Sequence, residues 1–178
     1  MTYSIIKRKL KDTEIKILVQ EIKNTPNISA YSKLEWQNCE NLFVAENADG
    51  QMIGACLNDD FFSKWTEIAA LFVLEEYRNL GIGKKLFIKS LEDSIDRRRN
   101  ILVMSGNPFV VKMMKEQGLT IFNSLKKLPR PFNKYAVVLN YFYEIRWFLN
   151  WYRIVEIIRK KLIFRSKSKY TYGLMLNN

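Results

Sequence analysis

Three observations predict a mixed α/β fold. Two apolar runs, 42–46 and 51–56, flank Asp49-Gly50, a turn signal that closes an antiparallel hairpin. An apolar stretch at 67–73 leads through a glycine-containing loop into a helix-periodic segment from about 83 to 97, which is a strand, loop, helix unit. No repeat, low-complexity tract or Pro/Gly-rich linker divides the chain, so the alternating pattern belongs to one sheet with helices packed on it.

Taken in order, residues 4–6 read as a short strand. Asp12, Thr13 and Glu14 then start a helix that carries Ile15, Leu18, Val19 and Ile22 at helical spacing. Asn24-Thr25-Pro26-Asn27 stops it, and 29–36 forms a second short helix. In the hairpin, Asp49-Gly50 supplies the positive φ angles of a tight turn, and Asp59 and Asp60 beyond it read as solvated turn residues. After the strand at 67–73, the helix from 83 turns Leu86, Phe87, Ser90, Leu91 and Ile95 inward and ends in Arg97-Arg98-Arg99, solvated cations that complement its dipole.

Residues 100–105 form the next strand, and 108–117 a helix with Pro108 in its first turn and Gly118 at its C-terminal cap. Segments 119–122 and 135–139 complete a mostly antiparallel sheet of about six or seven strands. Residues 1–140 are thus expected to form the domain, and 141–178 a basic amphipathic extension packed on or beside it. That extension reads as one long helix, 143–164. Its apolar stripe is Ile145, Phe148, Leu149, Tyr152, Val155, Ile158 and Leu162, widened by Trp147, Trp151 and Ile154, and a strand at 170–176 follows.

Composition removes several classes of chemistry. The chain of 178 residues contains no histidine, which excludes Ser-His nucleophile pairs, histidine bases and ordinary zinc sites, and two cysteines cannot supply an all-thiolate site. No metal is expected. Cys39 and Cys56 are also too few for a disulfide framework, and Cys56 sits in an apolar run, so a reducing, cytoplasmic setting is expected. The start MTYSIIKRKLKD has no apolar signal core and no run is long enough to span a bilayer, so a soluble or at most membrane-peripheral protein is expected. The charge is uneven. Residues 1–111 hold 15 basic and 15 acidic side chains and residues 112–178 hold 14 and 3, so the net +11 falls in the C-terminal third.

The most informative segment is Tyr77-Arg78-Asn79-Leu80-Gly81-Ile82-Gly83-Lys84. Glycines there let a ligand approach backbone. Successive N–H groups, the positive end of the following helix dipole, Arg78 and Lys84 together form a receptor for a pyrophosphate. Alone, two glycines at this spacing are a weak signal that a flexible turn would also give.

In its context, Ala70 through Leu86, the segment closely resembles the acyl-CoA loop of the GNAT superfamily of N-acetyltransferases. The resemblance extends over roughly residues 42–140, through the hairpin, the strand before the loop, and Asn107 followed by a helix ending in Gly118-Leu119. It implies the acyl-CoA N-acyltransferase fold, acetyl-CoA or another acyl-CoA as cosubstrate, and an amine acceptor that the sequence does not specify. It also implies that backbone at Leu71, Phe72 and Val73 holds the pantetheine and acyl carbonyl, that Arg78, Asn79, Leu80, Gly81, Ile82, Gly83 and Lys84 hold the pyrophosphate, and that Asn107 lies by the cofactor arm.

Attack by an amine requires that the amine lose a proton and that the leaving thiolate gain or share one. Glu67 matches in position and type the glutamate that many family members use as a general base; the alternative is a strand-end glutamate in a surface ion pair. The family's proton-donating tyrosine, four residues before the glycine, is replaced here by Met114, leaving water or Tyr135 to protonate the thiolate. Met113 and Met114 fit core packing, a longer acyl chain, or a weakly catalytic or non-catalytic module. For the basic C-terminal helix three roles stay open: an anionic membrane surface, an RNA, or packing on its own sheet or in a homodimer.

Overall fold

Alternation of apolar and polar residues produces strands wherever one face can be buried, and seven of them share one sheet in the computed structural model of the chain. It describes residues 2–177 apart from 27, 29, 30, 63 and 165–169, and in the helix at 136–149 it leaves out the side chains of 142–144 and 146–148. The order of elements is β1 (Tyr3–Lys7), α1 (Asp12–Lys23), α2 (Lys33–Asn38), β2 (Asn41–Asn47), β3 (Met52–Phe61), β4 (Trp65–Val73), α3 (Ile82–Asp96), β5 (Asn100–Ser105), α4 (Pro108–Glu116), β6 (Thr120–Phe122), α5 (Ala136–Leu149), α6 (Trp151–Phe164) and β7 (Thr171–Met175).

The spatial order is β1-β2-β3-β4-β5-β7-β6, antiparallel throughout except for the parallel pair β4 and β5. The sheet therefore takes its sixth position from residues beyond 140, and β6 is joined to β5 only through β7.

Three apolar clusters cover the sheet. Leu86, Phe87 and Leu91 of α3 and Met114 of α4 pack on Phe43, Ile53, Cys56, Ile68, Ile101 and Val103. On the opposite face Ile15, Leu18 and Ile22 of α1 and Trp36 of α2 cover Val44, Leu57, Ala70 and Phe72. A third cluster gathers Leu125, Leu128, Phe132 and Leu139 over Trp65, Leu102 and Leu174. Each fully buried Leu, Ile or Phe contributes about 1.5–3 kcal/mol, so these three clusters carry the stability of the fold. Cys56 is buried and Cys39 half-buried; both are free thiols, which burial pushes up to about 12 and about 11.

Several expectations are corrected. Residues 135–139 are not a strand: a 3-10 turn, Phe132–Tyr135, runs into α5, because the place beside β5 is taken by β7. The long helix is two helices. Asn150 divides them, its Oδ1 accepting from Arg153 N at 3.2 Å and its carbonyl from Ile154 N, as an N-cap does. The second helix begins at Lys33, capped by Ser32, whose side chain accepts from Glu35 N; Ser29, where it was expected to start, lies outside the described residues. Ile95 faces solvent and Ser94 is buried in its stead. In the hairpin only Gly50 has a positive φ, +73°; Asn47 Oδ1 accepts from Asp49 N and Gln51 N and holds the turn in place of a second left-handed residue.

Asp59 and Asp60 belong to β3, not to a solvated turn. Asp60 accepts from Thr66 Oγ1 at 2.6 Å and pairs with Arg97, which also reaches Asp93. Arg99 donates to the carbonyls of Phe62 and Trp65. Two of the three arginines are therefore tertiary clamps, because the end of α3 descends onto the turn between β3 and β4.

Candidate active site

The site forms where β4 parts from β5. These strands pair only from Trp65↔Asn100 to Ile68↔Val103; beyond that, residues 70–73 pair with β3 alone, while Met104 and Ser105 pair with β7. The register with β3 slips between Leu57 and Asn58, so Ala69 has no opposite residue. Such a bulge bends its strand and increases its twist, which drives the divergence.

Two adjoining cavities fill the split. A small one of about 70 Å³ lies between the diverging strands, lined by Ile68, Ala69, Met104, Ser105 and Tyr170 among others. A larger one of about 650 Å³ continues along Leu71, Phe72 and Val73 to the loop, bounded by α4 and by Thr25, Pro26 and Ile28. Ile28, Leu71, Asn107 and Val110 line both, so they form one cleft.

At the outer end of the cleft, Asn79 (φ +64°) and Gly81 (φ +77°) turn the chain into α3. Gly81 is the N-cap residue and no side chain caps the helix. The first intrahelical bond is Lys85 N to Gly81 O at 3.1 Å, so the N–H groups of Ile82, Gly83 and Lys84 have no intrahelical acceptor. All three residues line the larger cavity, an arrangement that receives an anion. Gly81 is required by its left-handed backbone; a Cβ on Gly83 would make only an ordinary 3.6 Å contact with Val73.

The cations of this loop have other duties too. Arg78 Nε donates to Val73 O at 3.1 Å and its guanidinium lies 5.6 Å from the Phe72 ring centre. Lys84 Nζ donates to Glu116 on α4 at 2.8 Å, and this bond holds the Glu116 carboxyl below its ordinary value. Asn107 caps α4, its side chain accepting from Phe109 N at 2.9 Å.

Leu71, Phe72, Val73, Arg78, Asn79, Gly81, Ile82, Gly83, Lys84 and Asn107 therefore line one cavity; Leu80 does not, lying half-exposed on the outside of the loop. Glu67 is 3% exposed, not a surface side chain. It is the register partner of Leu102, which packs on the face covered by α5, so Glu67 rises on that face. Its charge there acts on Arg153 of α6 together with Tyr31 and Glu35.

Tyr135 lies elsewhere, edge-on against Trp65 with ring centres 5.2 Å apart; Trp65 opens β4 and Val73 closes it. Met114 is fully buried in the first cluster beneath Gly173, where a Cβ would come within 2.9 Å of its sulfur. That is core packing. Met113, its neighbour, lines the cavity.

Sequence reasoning missed Tyr170, which lines the inner cleft, and Arg153, on which Glu67, Tyr31 and Glu35 all act. Arg153 is 2% exposed, donates to Glu35 Oε1 at 2.8 Å through Nε and stacks 4.1 Å from the Tyr31 ring centre. Burial pushes Glu35 up, but the Arg153 charge and the Ser32 N–H outweigh it and hold the carboxyl below its ordinary value. A basic residue inside an acid-poor helix was the available signal; its direction was not.

A seven-stranded mixed sheet split at its one parallel pair, with an uncapped helix N-terminus at the split, defines the acyl-CoA N-acyltransferase fold class. Solved structures agree. The chain is similar over its full length to 36% of N-acetylglutamate synthase from Neisseria gonorrhoeae, solved with coenzyme A and N-acetyl-glutamate (TM-score 0.64, 16% identity). Over 98% of its length it matches 96% of Ard1 from Thermoplasma volcanium (TM-score 0.59, 15% identity), and over 68% it matches 77% of a phosphinothricin acetyltransferase from Sinorhizobium meliloti in complex with AcCoA (TM-score 0.56, 16% identity).

The chain belongs to the acetyltransferase (GNAT) family, whose model matches residues 11–119. An uncharacterized N-acetyltransferase from Archaeoglobus fulgidus is 42% identical over 69 residues, 35% of this chain and 46% of that protein. The match thus spans about half of that relative's length.

Proposed function

We propose that the protein is an acyl-CoA-dependent N-acyltransferase that moves an acetyl group from acetyl-CoA to a primary amine. The observation that carries this reading is the continuous cleft from the uncapped N-terminus of α3 to the bulge at Ala69, within one strand position of Ile68 and two of Glu67.

The residues present fit the cosubstrate. The N–H groups of Ile82, Gly83 and Lys84, with Arg78, hold a pyrophosphate, and Lys84 exchanges Glu116 for phosphate at a half-exposed position. The exposed edge of β4 at 71–73 offers backbone groups to an extended pantetheine as to an added strand. When bound, acetyl-CoA supplies an activated acetyl thioester.

The chain's own residues then orient the reactants and move protons. Ala69, unopposed at the bulge, lines the inner cleft, where a backbone N–H polarises an acyl carbonyl. Glu67, two strand positions from the bulge and outside the lining of both cavities, takes the proton released by the attacking amine, directly or through water. Tyr170, at the inner cleft, takes the place of Tyr135 as the protein group that returns a proton to the departing sulfur.

Calorimetric titration of acetyl-CoA into the wild type and a Gly81→Glu variant tests the site, since an added carboxylate there repels pyrophosphate. Binding by the wild type alone is expected. Absence of binding to both overturns the reading, whereas tight binding with no turnover across an amine screen favours a non-catalytic GNAT-like module.

A further inference from the structure

The sixth helix is built with its charge inward and its apolar stripe outward. Arg153, Glu156 and Lys160, spaced to share one face, are 2%, 6% and 6% exposed. Lys160 Nζ donates to the carbonyls of Ile22, Thr25 and Ile28 at 2.5–2.8 Å, and Arg153 pairs with Glu35. The opposite face carries Trp151, Val155, Ile158 and Leu162, again at helical spacing, at 76%, 43%, 55% and 75% exposure. On α5 a second stripe, Val137, Tyr141, Ile145 and Leu149, is also exposed. Of the roles left open for this helix, packing of its apolar stripe on the chain's own sheet is thus reversed, since the charged face is the one that packs.

Two apolar stripes on neighbouring helices exceed the scattered exposure normal for a surface. The chain that leads into them is cationic. No Asp or Glu lies between Glu116 and Glu144, and Lys126, Lys127, Arg130 and Lys134 in that interval are all exposed. Lys134 sits one turn before Val137, and Lys161 is exposed beside Leu162. The further cations expected here, Arg165, Lys167 and Lys169, lie outside the described residues, as does the side chain of Arg146.

We propose that the outward faces of α5 and α6 seat on an anionic lipid surface, the apolar stripes entering the headgroup boundary and the lysines meeting the phosphates. Charge selects this occupant over a second copy, which would oppose two chains of net charge +11 with acidic side chains almost absent from the region. The stripes select it over RNA, because Val137, Ile145, Leu149, Val155, Ile158 and Leu162 cannot stack on bases as aromatic platforms do, while Trp151 and Tyr141 suit the headgroup boundary. No helix among the described residues is long and apolar enough to cross a membrane, and a helix of 14 residues is about 21 Å long, so α6 lies in the plane of the interface.

Vesicle co-sedimentation of the full chain tests this, using phosphatidylcholine alone and phosphatidylcholine with about 30% phosphatidylserine. The wild type is expected to partition onto the anionic vesicles about tenfold more strongly and to be released by about 0.5 M salt. Ile158→Asp with Leu162→Asp is expected to lower partition at least about tenfold while leaving circular dichroism unchanged, since both side chains face water. Should that pair unfold the protein, Lys126→Glu with Lys127→Glu, outside the helices, must lower partition instead. Equal sedimentation of wild type and variants, or no sedimentation, overturns the proposal. So does a lipid-free dimer, seen by light scattering, that Ile158→Asp with Leu162→Asp dissociates.

Discussion

Helices α3 and α6 both carry one apolar and one charged stripe, yet they present opposite stripes to the protein. α3 buries Leu86, Phe87 and Leu91 against the sheet and leaves Lys85, Lys89 and Glu92 outside. α6 buries Arg153, Glu156 and Lys160 and leaves Trp151, Ile158 and Leu162 outside. The difference lies in what each meets. α3 lies on apolar strands, whereas α6 meets the C-terminal end of α1 and the chain after it, whose carbonyls at Ile22, Thr25 and Ile28 accept from Lys160. Periodicity shows that a helix has two faces; the partner decides which one is inside.

The comparison breaks most readily at Arg153. Arg153→Met leaves Glu35 half-buried without its cation and is expected to destabilise the fold by about 3 kcal/mol, read as a lower thermal midpoint. A pH series refines this. Glu35 is held below its ordinary 4.5, so its stabilisation is full above the unfolded value and is lost as pH falls through the folded one. The wild type should therefore lose stability on acidification below about pH 4.5 more steeply than Arg153→Met.

Next in size is Lys160→Met, which keeps the length of the stem but strips a donor from three carbonyls and should cost about 2 kcal/mol. Denaturant unfolding measures it. Smallest is Ile158→Ser, on the outward stripe of the same helix, expected within about 0.5 kcal/mol in lipid-free buffer. A large loss for Ile158→Ser with little for Lys160→Met would reverse the orientation of α6 derived above.

What was legible in the sequence follows the same division. The β2-β3 hairpin, β5, α3, α4 and the loop at 78–84 could be read because local chemistry decides them: Gly50 and Gly81 hold left-handed backbone, Asn107 and Pro108 open a helix, and the apolar faces meet apolar strands. Segment 135–139 was misread because Val137 and Val138 favour a strand locally, while Phe132 and Leu139 are claimed by a cluster of distant residues. Tyr170 and Arg153 were invisible as site residues because only the long return of the chain through α6 brings them near β4. Glu67 could be placed on its strand, but its burial and the nearby charge of Arg153, far off in sequence, could not be read there.

The position of β7 has a kinetic consequence. β6 reaches the sheet only through β7, and β7 follows it by 49 residues, counted from Phe122 to Thr171. Until residues 171–175 arrive, β5 offers an unpaired edge and β6 has no neighbour. The half of the protein that holds the inner cleft therefore closes late, through contacts of long sequence separation that slow folding, and the open edge of β5 is the place where a nascent or partly unfolded chain is exposed to aggregation.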